Sequence, residues 1–165
     1  MNEITMRPIG VIHSNHHDAG HTPIQPYFAD DCTGTAEIFG EYADGLADIE
    51  MYSHLYLLFH FNRAEGFRLR LKPYLEDVEH GVFATRSPFR PNGIGLSIVR
   101  LEGREGNVLR LGGVDILDGT PLLDIKPYTT MFDNVKTIRN GWHERVDPEE
   151  LYRRGRRGCK PETDR

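Results

Sequence analysis

The stretch GVFATRSPFRPNGIGLSIVRL, Gly81–Leu101, decides the fold. GVFAT and GIGLSIVRL are strand-like runs, and between them Arg86 to Asn92 hold two arginines and two prolines. Asn92 followed by Gly93 is a turn signal. Two core-forming strands joined by a stiffened cationic loop predict a β architecture. Pro88 and Pro91 fix φ and reduce the freedom of the unfolded loop, so Arg86 and Arg90 are held at modest entropic cost. An arginine offers a planar fork of donors suited to carboxylate or phosphate. Gly93 and Gly95 permit close approach of backbone to a ligand. The competing reading is a hairpin loop whose arginines pair with surface acids.

The same patterning continues outward. RPIGVIH (Arg7–His13) reads as a short strand, TGTAEIF (Thr33–Phe39) alternates like one, and HLYLLFHF (His54–Phe61) reads as a buried apolar strand. YADGLADIEMYS (Tyr42–Ser53) has room for a short helix. NVLRLGGVDILDGTPLLDI (Asn107–Ile125) reads as strand, glycine break, strand, turn, strand. DPEELYRRG predicts a helix with Asp147 as N-cap and Pro148 at the first position. A basic tail, RRGRRGCKPETDR, follows it. Strands outnumber helices and strand–helix alternation is absent. The expected fold is therefore mainly β: one β-barrel domain over residues 1–140, with short helices, and a C-terminal helix and basic tail over 141–165. GNVLRLGG does not make a dinucleotide fingerprint, because its glycines are misplaced.

Bulk numbers bound the function classes. The chain's 165 residues suit one domain, with 38% hydrophobic and 27% charged residues. The longest apolar run, Leu55–Phe59, is far short of the about 20 residues a membrane helix needs. The N-terminus lacks a secretory core. Two distant cysteines, Cys32 and Cys159, argue against a disulfide framework or a cysteine zinc site, and for a reducing cytoplasm. The net charge of −5 hides an asymmetry: residues 1–80 carry 13 acids and 5 bases, residues 81–165 carry 12 acids and 15 bases. A basic face that attracts phosphate is compatible with that split.

Two further stretches carry chemistry. In VDILDGTPLLDIKPY (Val114–Tyr128), Asp118-Gly119 signals a tight turn, and Asp115 and Asp124 stand at strand ends with Lys126 two residues on. Carboxylates beside free turn N–H groups can hold hydroxyls or amines. The plain alternative is an Asp-turn capped by its own backbone, with Lys126 an ordinary ion-pair partner. HSNHHDAGHTPIQP holds His13, His16, His17 and His21 around Asp18, but the spacing fits no specific metal pattern, so it reads as a polar loop with no metal. Asn62-Arg63 sit at the exit of the apolar strand, as ligand groups or as a surface cap. His54 and His60 suit a core or an interface. Trp142, Tyr128 and Phe132 suit either base stacking or the core.

Taken together, RPIGVIHS, TPIQP, SHLYLLFHF, GVFATRSPFRPNGIGLS and DILDGTPLLDIKPY, in that order and spacing, resemble the TrmO family, also called TsaA-like or YaeB-like, over about residues 6–130. The resemblance implies a single-sheet β-barrel, a homodimer and use of S-adenosylmethionine. It implies methylation of N6 of threonylcarbamoyl-adenosine beside the tRNA anticodon. By similarity, Pro23, Ile24, Gln25, Asn62, Arg63, Arg86, Leu96, Asp118, Gly119 and Thr120 contact the cofactor. Three positions depart from the family pattern: Ile24 replaces an arginine, Asn62-Arg63 a His-Gln pair, and Gly93 a proline.

Methyl transfer to a weakly nucleophilic nitrogen needs in-line placement and a proton acceptor. Asp118 or Asp124 is expected to take the proton, and Lys126 or Arg90 to hold the acceptor's carboxylate or a phosphate. The partner is then tRNA, the compartment cytoplasmic, and no membrane is involved. A non-catalytic sensor of a nucleotide-like ligand and a small-molecule methyltransferase are the alternatives.

Overall fold

The computed structural model describes residues 3–157. Its main strands are β1 (Gly10–Ser14), β2 (Thr33–Ile38), β3 (His54–His60), β6 (Ile94–Glu105), β7 (Val108–Gly112) and β8 (Thr120–Pro127). They close into a barrel in the order β1-β2-β7-β6-β3-β8, and every pairing is antiparallel. Closure leaves no unpaired edge, as expected for a mainly β chain of this size. Alternation along each strand fills the interior. Ile12, Ala36, Ile38, Leu55, Leu57, Val99, Leu109, Leu111 and Leu122 are almost wholly buried and pack as one cluster.

The strand predicted as buried on both faces is buried on one. Leu55, Leu57 and Phe59 point inward, while Tyr56 and Leu58 are half-buried on the outside. The neighbouring outer face of β6 shows Leu96 and Ile98 at 46% and 39% exposure, so this wall is apolar on both sides. Gly95, just before Leu96, faces the interior. A side chain there would collide with the Phe59 ring across the β3–β6 pairing, so this glycine makes room for that ring.

Three other expectations are corrected. GVFAT forms no barrel strand: His80–Gly81 (β5) pairs only with Arg70–Leu71 (β4), and Val82–Ala84 turns as a 3-10 helix. The run Val114–Ile116 is buried but irregular, because Gly113 adopts φ +76° and the N–H groups of Gly113 and Val114 both donate to the Cys32 carbonyl. The short helix expected over 42–53 is a pair of 3-10 turns, Gly40–Leu46 and Ile49–Met51. Cys32 is buried. Cys159 and the end of the basic tail lie outside the described residues.

The C-terminal helix forms as predicted. After a short helix α1 (Thr130–Asp133), α2 spans Pro148–Gly155, and the Asp147 carboxylate accepts from the N–H groups of Glu149 and Glu150. It docks on the loop after β1: the N–H of Ile24 donates to the Gly155 carbonyl at 3.2 Å, and Arg156 pairs with Asp31 at 2.5 Å. No helix among the described residues is long and apolar enough to cross a membrane.

Candidate functional site

A groove of about 1880 Å³ opens at one end of the barrel and runs out over β6. Single-ligand clefts hold about 300–1,000 Å³, so this one has room for a cofactor and part of a second molecule. The loop after β1, the exit of β3, the proline-stiffened loop and the irregular stretch leading into β8 meet in it, beside β6, the 68–75 segment and residues beyond 140. Pro23, Ile24, Gln25, Asn62, Arg63, Arg86, Arg90, Leu96 and Thr120 all line it. The cationic loop and the DGTP turn therefore share one cavity. Seven cationic side chains and four carboxylates line it, which gives the groove a positive balance.

The two arginines of the loop do different things. Arg86 is exposed, and its Nη1 donates to the Gln25 side-chain oxygen at 2.6 Å. Arg90 turns back on its own loop: Nη1 donates to the carbonyl of Thr85 at 2.8 Å and is shared with those of Val82 and Ser87. It also lies over the Phe83 ring. Arg86 thus reaches across the groove to the 23–25 segment, and Arg90 is the strut that shapes its own loop.

The DGTP turn is held from behind. Gly119 adopts φ +75°, where glycine is favoured. The turn's N–H groups are occupied: Asp118 donates to the His16 carbonyl at 2.7 Å, Gly119 to that of Ile12 at 2.9 Å, and Thr120 to that of Leu117 at 3.3 Å. Free turn amides, which the sequence reading required for ligand binding, are therefore not present there. The Asp118 carboxylate accepts from the Ser14 N–H and lies 3.5 Å from His13 and 3.8 Å from His17. The Ser14 hydrogen bond, aided by both imidazoles, holds its pKa below the usual carboxylate value. Two histidines of the polar loop thus surround this carboxylate, and neither Asp118 nor Gly119 lines the groove. Asp124 and Lys126 also lie off the groove and pair with each other at 2.8 Å. They follow a register shift between β3 and β8, where Leu58 pairs with Asp124 and Phe59 with Leu122.

Asp115, which sequence reading placed at a strand end without assigning it to the site, lines the groove. Ser97 Oγ, buried on the inner face of β6, donates to its Oδ1 at 2.6 Å. Desolvation pushes the Asp115 pKa up to about 7, against the Ser97 hydrogen bond and the nearby Arg86 charge, both of which lower it. The sequence does pair a polar residue with this carboxylate, since Ser97 breaks an otherwise apolar inward face. Only the closed barrel brings the two together, 18 positions apart.

The far wall comes from beyond residue 140. Trp142 is nearly buried, donates Nε1–H to the Ala84 carbonyl at 2.8 Å, and stacks between His80 and His143. Tyr128 instead lies against Tyr56, with ring centroids 5.6 Å apart, and Phe132 is exposed.

Known proteins share this arrangement. The model of the tRNA-methyltransferase O N-terminal domain matches residues 11–134. A Pyrococcus abyssi protein, described as a probable S-adenosyl-L-methionine-binding protein, is 54% identical over 142 residues, covering 86% of this chain and 77% of that protein. The mouse tRNA (adenine(37)-N6)-methyltransferase is 37% identical over 146 residues, covering 83% of this chain and 34% of that protein. The solved structure of TrmO from Pseudomonas aeruginosa superposes with a TM-score of 0.74 at 41% identity, over 90% of this chain and 65% of that one. The chain thus spans about two thirds of that enzyme and about a third of the mouse protein. The matched region takes in β1 to β8 and every segment that lines the groove before residue 134, and on that ground the chain belongs to the TrmO family.

Proposed function

We propose that this chain is an S-adenosylmethionine-dependent methyltransferase acting on N6 of threonylcarbamoyl-adenosine beside the tRNA anticodon. The observation that carries this reading is one groove in which the 23–25 segment, Arg86 and the carboxyl-bearing stretch before β8 meet, with space left for a second nucleotide. The chemistry of the lining suits the cofactor. Arg86 supplies a fork for a carboxylate, and Pro23, Ile24 and Leu96 supply apolar walls for an adenine ring. When bound, the cofactor supplies an electrophilic methyl carbon on a positively charged sulfur. Gln25, Asn62 and Thr120 offer hydrogen bonds to its polar edges. Arg63 and Gly119 hold the turn that forms one wall, and Asp118 fixes that turn from behind.

The positive balance of the groove supports an RNA partner. A tRNA substrate places the enzyme in the cytoplasm. The exposed apolar strip of Leu96 and Ile98 lines the groove and continues onto Tyr56 and Leu58, and it supports a homodimer in which a second copy closes the groove over β6 without filling it. We assign residues 1–140 to the methyltransferase barrel and 141–165 to a C-terminal piece. The described part of that piece, Trp142 and α2, walls one side of the groove.

Calorimetry with S-adenosylmethionine and its demethylated product, followed by methylation of tRNA with and without the threonylcarbamoyl group, tests the reading. Micromolar binding with transfer only to the modified tRNA is expected. Binding without turnover on any tRNA identifies a sensor module instead, and transfer to free nucleosides with no salt dependence identifies a small-molecule enzyme.

A further inference from the structure

We propose that Asp115 is the group that takes the proton from the acceptor nitrogen during methyl transfer. This rests on the methyl-transfer reading above. During transfer the nitrogen lone pair forms the new N–C bond, the C–S bond breaks with its electron pair passing to sulfur, and the nitrogen's proton passes to the Asp115 carboxylate and then to water.

Three carboxylates stand in Val114–Tyr128, and geometry separates them. Asp124 is paired with Lys126 and lies off the groove. Asp118 is turned toward Ser14, His13 and His17, and the groove does not include it. Asp115 alone of the three lines the groove, and it does so beside Arg86 and Thr120. The Ser97 hydroxyl fixes its orientation from inside the barrel. Such a second contact is what a positioned base needs, since a freely rotating carboxylate loses the benefit of prepaid placement.

The electrical setting agrees. Arg86, from the proline-stiffened loop, is the charged group that faces Asp115. His16 lies behind it, with Nε2 against the carbonyl of the preceding residue, Val114, at 2.9 Å, and burial keeps its imidazole toward the neutral form. Desolvation makes Asp115 a stronger base than an ordinary carboxylate, while Arg86 keeps the ionised form accessible near neutral pH. Asp118 is shifted in the opposite direction, which makes it the weaker base of the two.

The test uses the full chain with modified tRNA. Asp115→Asn keeps the shape and retains an oxygen to accept from Ser97. Its cofactor affinity by calorimetry and its tRNA affinity by anisotropy are expected within about twofold of wild type. Its single-turnover rate is expected to fall by about 10²–10⁴-fold, and the acid limb of the wild-type pH–rate profile to disappear. Asp115→Glu is expected to recover part of the rate. Independently of turnover, carbon NMR of the labelled carboxyl should show Asp115 titrating near neutrality. Thermal melts confirm that each variant is folded.

A rate loss of tenfold or more with the acid limb abolished and both affinities kept supports the proposal. A smaller loss, a retained acid limb, or a cofactor affinity weakened more than about tenfold overturns it, the last by making Asp115 a cofactor contact. If wild type itself binds cofactor yet methylates no tRNA, the methyl-transfer reading falls and takes this assignment with it.

Discussion

Arg63 grips Asp118 by its backbone: Nη2 donates to the Asp118 carbonyl oxygen at 2.5 Å, while Nη1 reaches the His17 carbonyl at 3.2 Å. One guanidinium thereby ties the exit of β3 to the DGTP turn and to the polar loop after β1. Lysine has no planar fork and is unable to reproduce both bonds. Arg63→Ala and Arg63→Lys should each weaken cofactor binding by roughly three- to tenfold, the scale of one or two exposed charge-assisted hydrogen bonds. Calorimetry on folded variants checks this. Equal affinity in all three proteins would show that the turn holds its shape without the strut.

The Asp118 carboxylate should shape acid stability. Its folded pKa lies below the ordinary carboxylate value, with the Ser14 N–H as the main cause and His13 and His17 as helpers. A depressed carboxylate contributes stability that is present above its unfolded pKa and is lost as pH falls through the folded value. Asp118→Asn should therefore lower the urea midpoint at pH 7 and leave it nearly unchanged at the acid end. The group is about one third exposed, so the neutral-pH effect should stay below about 1 kcal/mol.

Asp115 should act on stability with the opposite sign. Its pKa rises from 3.8 unfolded to about 7 folded, so the folded state binds the proton more tightly. Its contribution is then most favourable below pH 4 and declines as pH rises toward 7. Asp115→Asn should melt higher than wild type at pH 8 and close to it at pH 4. The shift sets an upper limit of about 4 kcal/mol, reduced because the carboxyl is partly open to the groove. A variant less stable than wild type at pH 8 would contradict the desolvated environment. Strain of this kind is common where a fold trades stability for chemistry.

The contrast between these two carboxylates marks the limit of the sequence. Patterning located the strands because alternation reports which face is buried, and Asp147-Pro148 located α2 because a capped start is a local event. The motifs located the walls of the groove: the 23–25 segment, Asn62, Arg63, Arg86, Leu96 and Thr120. What stayed illegible was side-chain direction within a motif. Asp115 and Asp118 lie three residues apart, yet the irregular backbone after Gly113 sends one to the groove and the other to the histidines. The inward Ser97 became meaningful only through barrel closure. The double duty of Arg90, spent on its own loop, likewise depends on backbone carbonyls that composition does not report.

Gly155 couples the C-terminal helix to the cofactor wall. A side chain there would strike the Phe28 ring, and its carbonyl accepts from the Ile24 N–H at 3.2 Å. Gly155→Ala must push Phe28 or lift α2, with an overpacking cost of about 1–3 kcal/mol. Because Ile24 and Gln25 follow the same loop, cofactor affinity should fall together with the melting temperature. Loss of stability without any change in affinity would mean that the loop keeps its place independently of α2.

Outside the barrel, the segment FRLRLKPY (Phe67–Tyr74) lays Arg68, Arg70 and Lys72 along the groove, interleaved with exposed Phe67, Leu69 and Tyr74. Arg68 sits over the Phe89 ring at 5.4 Å, and Arg70 has only a 3.9 Å contact to Glu79, so these cations are not neutralised by tight pairs. Arg157 lies over the Tyr74 ring, so Phe67 and Leu69 are the open apolar faces between the cations, and such a strip suits phosphates and unstacked bases of an RNA loop. Replacing all three basic residues with alanine should weaken binding of a labelled anticodon stem-loop. It should also flatten the dependence of log affinity on log salt by about 2, the counterion release of three single-strand phosphate contacts. Cofactor affinity should be unchanged, because none of the three stands among the cofactor residues. An unaltered salt slope would place the RNA on another face and leave this segment a structural arm of the β4–β5 pair.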